Sequence, residues 1–183
     1  MTTRFDRALV WFRRDLRAED HAALYAACRA ARQVFCLFVF DTEILAPLPR
    51  QDRRVEFIRE SLVALDAELH ALAGQYGAGL IVRHAVAADE VPRLAQQLGV
   101  QEVFANHDDE PDALTRDARV RGRLSDIGAA LFTSKDHVIF ERNEVLTGND
   151  TPYGVFTPYK RAWLKKAQDV ITCSPTADLM SWA

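Results

Sequence analysis

Asn106-His107-Asp108-Asp109-Glu110-Pro111 sets three carboxylates in a row directly after an apolar run. A carboxylate facing a crevice accepts the N–H or O–H of a ligand. One acid is expected where a helix begins, because Asp and Glu favour a helix N-terminus and a proline such as Pro111 suits a first turn. Three exceed what capping needs, so ligand binding and capping stand as equal readings of the segment. A second group is Trp11-Phe12-Arg13-Arg14-Asp15-Leu16-Arg17. Three guanidiniums around one carboxylate can hold an anion or a carboxylate-bearing surface. They can equally close on themselves as a solvated loop tied by Arg–Asp pairs. A third group is Arg53-Arg54, at the start of a long helical pattern. A basic residue there opposes the helix dipole, and Arg54 is suited to donate to a carbonyl or a phosphate.

Other chemistries are missing. Gly74, Gly77 and Gly79 precede a strand pattern, whereas a dinucleotide fingerprint follows one and opens a helix, so they read as a helix stop and a tight turn. No G-x-x-x-x-G-K-[ST] loop and no G-x-S-x-G elbow occurs. The five histidines, His21, His70, His84, His107 and His137, show no metal-ligand spacing, and no metal is expected. Cys28, Cys36 and Cys173 form no C-x-x-C, and Cys28 and Cys36 read as small buried hydrophobes.

The elements that must position these groups alternate in kind. Apolar runs at Ala8–Phe12, Val34–Phe40, Leu80–Val82, Glu102–Ala105 and Ala129–Thr133 read as strands covered on both faces. Val55, Ile58, Leu62, Leu65, Leu69 and Leu72 form one helical stripe stopped near Gly74. A helix capped by Asp20 is expected to bury Leu24, Tyr25 and Cys28. Another carries Val91, Leu94 and Leu98, with Pro92 in its first turn and Gly99 at its end. A fourth begins near Pro111 and is expected to bury Leu114, Ala118 and Leu124. Strand–helix alternation over residues 7–134 predicts an α/β fold, a doubly wound parallel sheet with helices on both faces. Right-handed crossovers then put a ligand at the carboxyl ends of the strands. The loops to watch are 12–20, 40–52, 84–88 and 106–111.

Residues 135–183 break the rhythm. A turn-rich stretch, 147–154, leads into a helical pattern through Ala162, Trp163 and Leu164. Nothing after it can cover Phe156, Tyr159, Trp163 and Trp182, which marks a contact surface. The chain therefore reads as domain 1–134 followed by an extension, 135–183, of a longer protein. Lys160, Arg161, Lys165 and Lys166 form a basic cluster, read first as a solvated helix face and second as a contact for DNA phosphates. The 183 residues carry a formal charge of −3, are 49% apolar and 27% charged. That composition excludes a disordered chain and offers no global attraction to nucleic acid or anionic lipid. The longest apolar run, Val34–Phe40, is far short of the ~20 residues of a membrane span, and no signal core opens the chain, so a cytoplasmic monomer is expected.

Leu9-Val10-Trp11-Phe12-Arg13-Arg14-Asp15-Leu16-Arg17 resembles the opening of the DNA photolyase/cryptochrome family. So does Thr147-Gly148 followed by Pro152-Tyr153-Gly154-Val155-Phe156-Thr157-Pro158-Tyr159, with Ala162-Trp163 after it. The likeness runs from residue 7 to residue 168 and is nearest to the bacterial dimer-repairing members. It implies the family's N-terminal antenna domain, a five-stranded, Rossmann-like parallel sheet, and the start of a linker to a helical FAD-binding domain. It implies a light-driven DNA repair lyase. There, reduced FAD in the absent C-terminal domain splits cyclobutane pyrimidine dimers, and an antenna chromophore here passes excitation to it.

FAD binding, the lesion pocket and contact with damaged DNA all belong to the absent part, so this chain alone is expected to be inactive, with no catalytic residue of its own. By resemblance the antenna pocket takes Asp108 and Glu110 after strand four, Arg54 at the start of the second helix, and Phe40 and Asp41 as wall residues. An 8-hydroxy-5-deazaflavin or FMN is favoured over methenyltetrahydrofolate, because the Asn-Glu pair of folate-binding members reads Asp112-Ala113 here. The rival readings are a cryptochrome-like photoreceptor domain and a free-standing nucleotide-binding module.

Overall fold

The computed structural model describes residues 4–74 and 77–173. Five strands form one parallel sheet: β1 (Phe5–Phe12), β2 (Ala31–Asp41), β3 (Leu80–Ala85), β4 (Glu102–Asn106) and β5 (Ala130–Ser134). Their order across the sheet is β3-β2-β1-β4-β5. The helices between them are α1 (Ala22–Ala30), α2 (Thr42–Leu45), α3 (Arg53–Ala73), α4 (Ala87–Leu98) and α5 (Pro111–Asp126). All five expected strands are present, each at least as long as its apolar run or shifted by a single residue. Asp41 and Asn106 each close a strand, at the edge where a ligand is expected.

Alternation along β1 divides the core in two. Leu9 and Trp11 pack with Leu37, Val39, Val103 and Ala105 beneath α4 and α5. Ala8, Val10 and Phe12 pack with Cys36, Phe38 and Phe104 beneath α1 and α3. Successive side chains of a strand point to opposite faces, so one strand furnishes both layers. Leu9, Leu37, Leu65, Leu94 and Leu124 are fully buried, each contributing about 1.5–3 kcal/mol.

Three helix faces differ from the expected ones. On α1, Ala23, Leu24 and Ala27 are buried, while Tyr25 and Cys28 are exposed. The two alanines let the helix approach the sheet closely, and Tyr25 turns outward beneath the Arg29 guanidinium, 5.5 Å from its ring centre. Cys36 is buried as expected, and burial together with the neighbouring Cys28 pushes its thiol up to about 12. The cap of α1 is His21, whose Nδ1 accepts from Leu24 N–H at 3.0 Å; Asp20 instead adopts a positive φ of 48°. On α5 the buried line is Ala113, Asp117, Val120 and Leu124, so Leu114 and Ala118 face out. On α3 the stripe is buried at Leu62, Leu65 and Leu69, and Leu72 is exposed.

Pro92 lies inside α4, in its second turn and not its first. Proline leaves the carbonyl four residues back without its helical donor. That carbonyl, Ala88, receives Arg123 Nη1 at 3.4 Å. Gly99 ends α4 at φ +64°, with its N–H on Ala95 and Gln96.

The chain divides into two units, residues 1–137 and 138–183. The second contains a short 3-10 turn, Arg142–Glu144, and α6 (Phe156–Cys173). Its aromatic residues are not all uncovered. Phe140 meets Trp163 edge-on at 5.5 Å, and Tyr153 meets Tyr159 at 6.0 Å. Phe156 stays 71% exposed. Trp182 lies outside the described residues. Among the described residues, no helix is long and apolar enough to cross a membrane.

Candidate functional site

The sheet order reverses direction between β1 and β4, and the loops leaving these two strands diverge there. Such a switch point opens a crevice at the carboxyl edge of the sheet. Asn106, the last residue of β4, is fully buried. Its Nδ2 donates to Asp15 Oδ2 at 2.6 Å, and its Oδ1 accepts from Ala23 N–H at 2.9 Å. His21 Nε2 lies 2.9 Å from the same Asp15 oxygen. Because His21 Nδ1 accepts from Leu24, Nε2 carries the proton and donates to Asp15. Burial alone would raise the Asp15 carboxyl. The His21 hydrogen bond and backbone N–H of Arg13, at 2.9 Å, outweigh it and hold the group well below the usual carboxylate range. The first loop is thereby tied to β4 and to the start of α1.

A second set of ion pairs lines one wall. Arg13 Nη1 donates to both oxygens of Asp117 at 2.9 and 2.6 Å, and its Nη2 donates to the Asn106 carbonyl. Arg116 reaches Asp117 at 3.1 Å. Both guanidiniums lie 5.0 Å from the buried Trp11 ring. Arg14 pairs with Glu110 and stands 3.5 Å from Asp108. Glu110 is held below its ordinary range by that Arg14 contact and remains an ionised acceptor.

The opposite wall is apolar. Phe40, packed edge-on against Phe38 at 5.0 Å, stands with Ile44, Leu45, Pro47 and Ile58. Between the walls lies a cleft of about 650 Å³. At its margin Arg119 of α5 reaches Glu43 of α2 at 3.0 Å.

Of the five residues expected to form a site, Phe40, Asp41, Asp108 and Glu110 line this cleft. Asp41 is buried and caps α2 by accepting from Glu43 N–H at 3.1 Å. Arg54 does not line the cleft. Its Nε donates to Asp52 at 2.9 Å, and its guanidinium and backbone N–H together draw the Asp52 carboxyl down to about 2. Asp52 is the N-cap of α3, and this local partner answers the dipole argument that made Arg54 look uncomfortable. Residue type alone does not single out Trp11, Arg116 or Asp117. The signal for Asp117 is its spacing with Ala113, Val120 and Leu124, which puts a carboxylate in an otherwise apolar stripe.

Among the described residues, the lining holds no Cys, His, Lys or Ser, and the Thr115 hydroxyl donates to the Pro111 carbonyl. Asp15, Asp136 and His137 come within 4.8 Å of one another. Asp15 is already committed to His21 and Asn106, and Asp136 to Arg17 and Ala22 N–H.

Residues 8–178 match the family described as DNA photolyase. The deoxyribodipyrimidine photo-lyase of Salmonella typhimurium is 36% identical over 174 residues, covering 91% of this chain and 35% of that protein. A bacterial class III photolyase from Agrobacterium tumefaciens superposes with a TM-score of 0.74 at 25% identity, over 88% of this chain and 32% of that one. An archaeal photolyase from Sulfolobus tokodaii, solved with two FAD molecules and taken to imply a novel light-harvesting cofactor, gives 0.63 at 28% identity, over 75% of this chain and 32% of that one. The chain spans about a third of the length of the first of the curated relatives it matches.

Proposed function

The chain belongs to the DNA photolyase family, and from that premise we propose that it is the light-harvesting part of an enzyme that repairs cyclobutane pyrimidine dimers with light. The observation that carries the reading is the cleft, whose apolar wall of Phe40, Ile44 and Ile58 faces the acceptors Asp108 and Glu110. Its volume falls in the usual range for small-molecule sites, about 300–1,000 Å³. A flat ring system with N–H and O–H donors on one edge fits that division of apolar and acceptor surface. An 8-hydroxy-5-deazaflavin or FMN brings a flat tricyclic ring with a pyrimidine N–H and a hydroxylated side chain, and methenyltetrahydrofolate is disfavoured by the Asp112-Ala113 pair.

When bound, such a chromophore supplies absorption of light and transfer of excitation to FAD in a helical C-terminal domain. The chain's own residues do the rest. Phe40 and Ile58 cover the ring faces and exclude water. Asp108 and Glu110 fix the donor edge, and with it the angle of the ring plane. Asp41 rigidifies the wall by capping α2. Arg54 serves the start of α3. Damaged DNA and a FAD-binding domain are partners of the whole enzyme.

Mixing the purified chain separately with 8-hydroxy-5-deazaflavin, FMN and methenyltetrahydrofolate tests this by absorption spectroscopy. Binding of either flavin-type compound, weakened about tenfold or more in D108A, is the expected result. Failure of all three to bind overturns the assignment.

A further inference from the structure

We propose that Arg14 is a built-in competitor for the cleft, which must be displaced from Asp108 and Glu110 before a ligand's donors can reach them. The inference rests on the ligand-binding reading above. Four guanidiniums line the cleft, those of Arg13, Arg14, Arg116 and Arg119. Arg13 and Arg116 close on Asp117, which is outside the lining, and Arg119 closes on Glu43 at the margin. Arg14 alone has its short contact on the expected acceptor pair.

Arg14 leaves the loop after β1 and meets the loop after β4, so its guanidinium bridges the switch-point crevice. The backbone beneath it is fixed, because Arg13 N–H is bound to Asp15. The side chain is not fixed: it is 56% exposed, and so can swing into water with little loss of packing. Asp108 is the opposite case. Its side chain is only 8% exposed, and its Oδ2 stands 3.5 Å from Arg14 and 3.9 Å from Arg116. Its Oδ1 accepts from Glu110 N–H at a long 3.3 Å. A sheltered carboxylate held by long contacts gains when a donor arrives at hydrogen-bond distance. The contact to be broken is a solvent-facing ion pair, which is weak and screened by salt. Arg14 therefore lowers affinity modestly for a ligand whose donors must take its place at Asp108 and Glu110.

Riboflavin is the probe, because it is uncharged and carries both N–H and O–H donors. Its fluorescence is titrated with the full chain and with R14Q and R14K, at low and high salt. R14Q is expected to bind about two- to fivefold more tightly than the parent. Parent affinity rises with salt as the competing pair is screened, R14Q is flat, and R14K keeps a salt dependence. Binding only by R14Q supports the competitor in its strongest form. Equal affinity and equal salt response in parent and R14Q overturn the competitor and leave the cleft reading intact. Weaker binding by R14Q, with an unchanged melting temperature, makes Arg14 a ligand donor and also overturns it. No binding by any of the three proteins overturns the cleft reading and the competitor together.

Discussion

Asn106 and Asp15 are the residues on which the site's geometry turns. Asn106→Ala removes the short bond to Asp15 and strands the Ala23 N–H. The expected cost is about 2–4 kcal/mol of folding stability, read from urea unfolding. Asp15 also imposes a pH dependence with a definite sign. Its folded carboxyl is held below the ordinary value of 3.8. A depressed carboxylate contributes stability that is complete about one pH unit above its unfolded value, near pH 5, and is lost progressively as pH falls past that value and through the lower folded one. The acid limb of the stability profile should therefore flatten in D15N relative to the parent. At this scale the sequence was partly legible. Runs of like charge beside apolar strands pointed to Asp108, Glu110 and the Arg13–Arg17 loop, because the end of a strand fixes where the next few side chains emerge. The partner of Arg54 could not be read, since a long side chain chooses among rotamers, and it donates to Asp52, two residues away. Asp117 was hidden because a carboxylate within an apolar stripe reads as an interruption of it until Arg13 is known to lie opposite.

Elements were more legible than their faces. Periodicity and the stops at Gly74 and Gly99 located α3 and α4, and the apolar runs located the strands, though β1, β2 and β3 extend three or four residues beyond theirs. The faces of α1 and α5 shifted because alanine weighs little in a hydrophobic pattern, yet fits a close helix–sheet approach. Ala23, Ala27 and Ala113 are buried where Tyr25, Cys28 and Leu114 were expected. Two glycines make opposite predictions on the same substitution. Gly99 sits at φ +64°, where any side chain is strained, so Gly99→Ala should cost about 1 kcal/mol. Gly122 lies within α5, and a Cβ there meets nothing within 4 Å. Gly122→Ala should add about 0.4–1 kcal/mol. Thermal melts of the two variants, moving in opposite directions, check both.

At the scale of the molecule, every residue lining the cleft falls between Trp11 and Arg119, inside the unit of residues 1–137. A chain ended after His137 should unfold cooperatively and keep the parent's ligand spectrum, checked by circular dichroism and absorption titration. Loss of binding on that truncation would assign part of the site to residues 138–183. The strand–helix alternation stops near residue 135, and the second unit begins at Val138. Coverage of Trp163 was not legible, since Phe140 sits 23 positions away with no periodic relation to it. β1 carries a consequence for how such a protein changes over time. Its Leu9 and Trp11 fill one layer while Ala8, Val10 and Phe12 fill the other. Deleting one residue there would exchange the two sets at once, and neither layer tolerates the other's shapes. The stretch between Asp41 and Arg53 has no such twin duty. Length changes there would reshape the apolar wall while the sheet stayed whole, so new ligand preferences are open to insertion in one loop and closed to it in the central strand.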